Sequence, residues 1–121
     1  MHNRILCFVL SIATALCANL AAAHGILVSS SPAKGSILAE PPREIRLSFN
    51  ESVEARFSAV TLVRNDGKVV VSGRPSSDGQ KRSDIVVALP ALQPGKYQVR
   101  WQTTSADSHR IQGSFGFEIK P

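Results

Sequence analysis

Between Glu44 and Asn50, three apolar residues alternate strictly with polar ones: Ile45, Leu47 and Phe49 against Arg46, Ser48 and Asn50. A period of two puts one set of side chains on one face of a strand, and a helix cannot segregate that pattern. The same period returns in Ile85, Val87 and Leu89, which Pro90 stops. It returns in Tyr97, Val99 and Trp101, and again in Ile111, Gly113, Phe115, Phe117 and Ile119. Phe57 to Val63 is a β-branched-rich run. It faces Lys68 to Val71 across Arg64-Asn65-Asp66-Gly67, where Asp-Gly signals a hairpin. Gly73 to Arg82 is polar, contains Pro75 and Gly79, and reads as a loop. About seven strands and no helix are expected, which describes an all-β sandwich.

Leu92-Gln93-Pro94-Gly95-Lys96-Tyr97 sharpens the topology. A Leu, a Pro-Gly and a Tyr at this spacing before a strand form the sequence signature of a tyrosine corner, in which the hydroxyl bonds back to upstream backbone at a Greek-key crossing. The expected fold is therefore an immunoglobulin-like Greek-key β-sandwich, with Trp101 and Phe115 in the core between the sheets.

The first 23 residues belong to a different regime. Arg4 supplies one positive charge, Ile5 to Leu20 is almost wholly apolar, and Ala21-Ala22-Ala23 is a small-residue cleavage site. Those three parts make a secretory signal peptide. A membrane anchor needs roughly 20 apolar residues, and the run here is shorter. A lipoprotein site at Cys17 is disfavoured by the bulky Leu16 before it. Residues 1–23 are thus expected to be cleaved, leaving residues 24–121 as one domain.

Cleavage after Ala23 changes the chemistry available. Cys7, Cys17, Met1 and His2 leave, so the mature chain has no cysteine and no methionine, and its histidines are His24 and His109. Its 98 residues suffice for one core without a disulfide. Net charge falls from +5 to +4, because Arg4 is the only charged residue lost. The remaining basic residues are spread along the chain, with no basic stripe carrying interleaved aromatics, so nucleic acid is not an expected partner. Cysteine nucleophiles are excluded. Ser105, Asp107 and Ser108 near His109 nominally offer a hydrolase triad, but no G-x-S-x-G elbow accompanies them. There is no glycine-rich phosphate loop.

His24 is then the residue of interest. A histidine at a chain start offers its α-amine and its imidazole to a metal from one residue. A second imidazole, from His109, completes three nitrogens, and Cu(II) prefers tetragonal nitrogen and oxygen ligation. Asp107 stands two residues before His109. On an extended segment the two face the same side. The competing readings are a terminal histidine left by chance cleavage and a loop histidine bonded to Asp107.

These residues resemble the family of the periplasmic copper-binding protein CopC, over nearly all of the mature chain. His24-Gly25-Ile26-Leu27 with Ser30-Ser31-Pro32-Ala33-Lys34-Gly35 resembles its opening. Ile45 to Val53 resembles its L-x-F-s-E-x-V segment. Gly95 to Trp101 with Ser105-Ala106-Asp107-Ser108-His109 resembles its Y-x-V-x-W…S-A-D-G-H signature, and Gly113 to Phe117 its G-x-F-x-F close. The resemblance implies an immunoglobulin-like or cupredoxin-like sandwich. It implies one Cu(II) per chain held by His24, Asp107 and His109, with Glu51 matching an acid sometimes beside the site. It further implies a periplasmic, monomeric, non-enzymatic protein for copper sequestration or delivery, without stable membrane insertion, and an inner-membrane copper importer as partner. Two departures stand out. Ser108 replaces the usual Gly, which would strain a positive φ. The Met-rich loop that some members use for Cu(I) is absent, so a Cu(II) site alone is expected. The competing classes are a copper enzyme of the lytic polysaccharide monooxygenase type, which is usually much larger, and a metal-free structural sandwich.

Overall fold

The alternating runs do become strands that bury their apolar faces. A computed structural model describes residues 26–121. The signal peptide expected over residues 1–23 and the expected ligand His24 lie outside the described residues. Nine strands follow in chain order: β1 (Leu27–Ser31), β2 (Ile37–Leu38), β3 (Glu44–Phe49), β4 (Ala59–Arg64), β5 (Val69–Gly73), β6 (Ser76–Ser77), β7 (Asp84–Ala88), β8 (Gly95–Thr104) and β9 (Arg110–Ile119). One sheet runs β1-β3-β7-β6 and the other β2-β9-β8-β4-β5. Every pair is antiparallel except β2 with β9. The chain changes sheet at β1–β2, β2–β3, β3–β4, β5–β6 and β7–β8, so the sheets form a sandwich.

Seven strands are long, and β2 and β6 are two-residue edge strands. The stretch expected as a loop from Gly73 to Arg82 therefore holds one short strand, Ser76–Ser77, paired with β7. Phe57, read from sequence as part of a strand, instead closes a 3-10 turn, Ala55–Phe57. It is exposed, with the Arg56 guanidinium over its ring.

Both inner faces supply the core. Ile45, Leu47 and Phe49 come from β3, Ile85 from β7, Val60 and Leu62 from β4. Tyr97, Val99 and Trp101 come from β8, and Phe115, Phe117 and Ile119 from β9; all are buried. Trp101 meets Phe49 edge-on at 5.2 Å between ring centroids, a favoured aromatic geometry. Its register partner on β9 is Gly113. A Cβ there would sit 2.7 Å from the indole, so only glycine lets the ring lie across that strand. The tyrosine corner forms as expected: the Tyr97 hydroxyl donates to the Gln93 carbonyl at 2.6 Å.

One polar cluster stiffens the end of the sandwich that matters below. Arg46 Nη1 lies 2.7 Å from Asp78 Oδ2 and 3.2 Å from Asp84 Oδ2. The Asp78 carboxyl is held below its ordinary range, first by the backbone N–H of Gln80 and then by Arg46. So fastened, the 78–83 loop accepts two backbone bonds at the end of β3, from Phe49 to the Ser83 carbonyl and from Val53 to the Arg82 carbonyl.

Candidate metal centre

The β8–β9 connection carries the candidate ligands, and its backbone is a closed turn rather than an extended segment. The Ser108 N–H donates to the Ser105 carbonyl, and the Ser105 N–H to the His109 carbonyl, both at 2.9 Å. The turn is tied to the other sheet through the segment after β3: Val53 bridges Ser105, and the Ala106 N–H donates to the Ser52 carbonyl at 3.0 Å. Asp107 and His109 do meet, with His109 Nδ1 3.1 Å from Asp107 Oδ2, and both side chains are about half exposed. They meet because the turn folds back, not because i and i+2 share a strand face.

Ser105, fully buried, donates its hydroxyl to Asp107 Oδ1. The Asp107 carboxylate thus meets the Ser105 hydroxyl, the His109 ring and, at 3.4 Å, the His109 N–H, which together fix its orientation. The Ser105 bond also removes the nominal triad, because the Ser105 hydroxyl is turned to the carboxylate and not to the imidazole. Sequence reasoning placed Ser105 near His109 without this role.

Glu51 stands on the segment that bridges to the turn. It is half-buried, and its Oε1 is buried without a hydrogen-bond partner among the described residues. Yet among the described residues no three His, Cys, Asp or Glu side chains form a group that could hold a metal ion. The described part of the centre is a carboxylate and an imidazole.

The strain expected at position 108 is present: Ser108 has φ +69°, the only positive φ at a non-glycine among the described residues. A side chain in this region costs about 1–2 kcal/mol, partly offset by the extra unfolded-state freedom of glycine. Ser108→Gly is expected to raise apo stability by about 0.5–1 kcal/mol, read as a higher urea midpoint at unchanged slope. A lower midpoint would show that the serine contributes something the turn geometry does not reveal.

Comparison with known proteins agrees with this architecture. Residues 27–120 match the CopC domain. The chain is 35% identical to copper resistance protein C of Pseudomonas syringae pv. tomato over 98% of both chains. It is 30% identical to the copper transport protein CutJ of Bacillus subtilis over 80% of this chain, a stretch that makes up 18% of that longer protein. The crystal structure of CopC from Methylosinus trichosporium OB3b superposes with a TM-score of 0.77 at 30% identity, covering 81% of this chain and 95% of that one. These relatives are named for copper resistance or transport and not for a catalysed reaction, in agreement with a non-enzymatic reading. The chain belongs to the CopC family of copper-binding β-sandwich proteins.

Proposed function

We propose that the protein is exported to the periplasm, loses residues 1–23, and holds one Cu(II) between its new N-terminus and the β8–β9 turn. The α-amine and imidazole of His24 supply two nitrogens, His109 a third, and Asp107 a carboxylate at or next to the metal. The observation that carries the reading is how Ile26 is fastened to the segment after β3. Ile26 is bonded in both directions to Asn50, at 2.7 and 3.0 Å. Asn50 is two residues from Ser52, which accepts from the turn that bears Asp107 and His109. His24 is two residues before Ile26, a span of at most about 7 Å. The fastening of Ile26 to this segment supports an N-terminus close to the carboxylate and the second imidazole.

The donor types support Cu(II) over Cu(I). Nitrogen and carboxylate donors suit Cu(II), and a chain without thiols or thioethers after residue 17 offers Cu(I) no soft partner. His109 Nδ1 is engaged by Asp107, so Nε2 is the ring nitrogen that would meet the metal, and the carboxylate would hold the ring as outer-shell partners do. A role in handing copper on to a transport protein is supported by the matching stretch within the longer copper transport protein CutJ.

Intact-mass measurement of the exported protein, with and without one equivalent of Cu(II), tests the whole reading. The expected result is a chain beginning at His24 that gains one copper and shows a tetragonal paramagnetic resonance spectrum with nitrogen couplings. A mature start elsewhere, or no mass gain, would overturn it.

A further inference from the structure

We infer that Asn50 is a positioning residue for the N-terminal chelate; the inference rests on the amine of His24 being a copper ligand, as proposed above. The regular ladder between β1 and β3 ends at Leu27 opposite Phe49. Beyond that pair, Asn50 adds a rung with its side chain. Its Oδ1 accepts the Ile26 N–H at 2.7 Å while its own N–H donates to the Ile26 carbonyl at 3.0 Å. Only Gly25 stands between this clamp and His24, and glycine is the residue with the widest backbone freedom.

The ladder just after the clamp is also weak. The register of β1 shifts between Leu27 and Ser29, so the strand start depends on few paired groups. Among the described residues, the Asn50 clamp is therefore the restraint nearest in sequence to the chelating residue. It also lies on the segment that reaches the other half of the centre, through Ser52 to Ala106. One short stretch, 50–52, holds both the entering chain and the β8–β9 turn. A metal site whose ligands come from two segments far apart in sequence loses affinity if either half must be ordered on binding.

Asn50 is exposed and is not one of the buried core residues. Its removal is expected to leave the fold intact and to act on copper alone. Removing one hydrogen bond of this kind corresponds to a few-fold to about tenfold change in an equilibrium.

The test is a double-mutant cycle read by competition titration of Cu(II) against a chelator, with apo melting curves alongside. Its members are the authentic protein, Asn50→Ala, a chain with one Met ahead of His24, and the combination. Asn50→Ala is expected to weaken Cu(II) binding about fivefold in the authentic protein. In the extended chain, where the amine no longer binds, it should change the residual affinity less than about twofold. Asn50→Asp retains the acceptor and should bind at least as tightly as the authentic protein. Equal affinity of Asn50→Ala and the authentic protein would overturn the inference and leave the amine chelate standing. The same weakening in both backgrounds would also overturn it, because it would show a general effect on the fold. Unchanged affinity in the extended chain would remove the amine chelate itself, and this inference with it.

Discussion

A protein carrying one extra methionine ahead of His24 should fold normally and bind Cu(II) about a thousandfold more weakly than the authentic chain. The extension turns the α-amine of His24 into an amide, which is far less basic and is no comparable donor at neutral pH. The imidazole of His24 survives, so an ordinary two-histidine site would tolerate the change. An amino-terminal chelate would not, because the amine and imidazole close one ring on the metal and lose that ring together. A loss of about 4 kcal/mol corresponds to the thousandfold figure. The apo fold should be indifferent, because among the described residues the core is built on Ile45, Phe49, Val99, Trp101 and Phe115, from β3, β8 and β9. Competition titration and apo melting on both chains, prepared in parallel, measure the two effects separately. Equal Cu(II) affinities would remove the amine from the ligand set.

What was legible in the sequence depends on which residues have one buried face. In β3, β8 and β9 the period of two is dictated by the sandwich core, and all three strands were readable. The tyrosine corner was readable because its bond is local, from Tyr97 to Gln93. Ser76–Ser77 was not readable as a strand, since neither residue is buried and its pairing with β7 is an edge contact. Phe57 misled because an apolar residue beside a β-branched run resembles its start. Its neighbour Ser58 ends the 3-10 turn and spends its hydroxyl on the Glu54 carbonyl and Thr103.

The centre divides the same way. His109 and Asp107 could be named because few residue types in the mature chain bind metals and these stand two apart. The residues that hold them in place could not. Asn50 acts on Ile26 across 24 positions, and Ser52 acts on Ala106 through a carbonyl that any residue would possess. Ser105 could be seen near Asp107, but its hydroxyl bond follows from the turn, not from spacing. Position 108 is the intermediate case: the departure from glycine predicted a strained φ, and the turn has one.

His109→Ala should cost at least about a hundredfold in Cu(II) affinity and almost nothing in apo stability. The floor comes from outer-shell partners, whose loss already costs 10–100-fold; a nitrogen that binds the metal directly must cost more. The stability side follows from exposure. The His109 side chain is 57% accessible and packs into no core, and surface changes of this kind fall within about 0.5 kcal/mol. Asp107→Asn provides the internal comparison. If the carboxylate chiefly orients the ring through Nδ1, this variant falls in the outer-shell range, well above His109→Ala in affinity. If it matches His109→Ala, Asp107 is itself a ligand. The pH dependence gives an independent reading, because each nitrogen must shed its proton to bind. Authentic affinity should fall from pH 8 to pH 5, and His109→Ala should fall less steeply, since one proton fewer competes with the metal. The same affinity and slope in both proteins would mean that His109 does not touch copper, and that the second half of the centre must be sought elsewhere at this pole, beginning with the buried oxygen of Glu51.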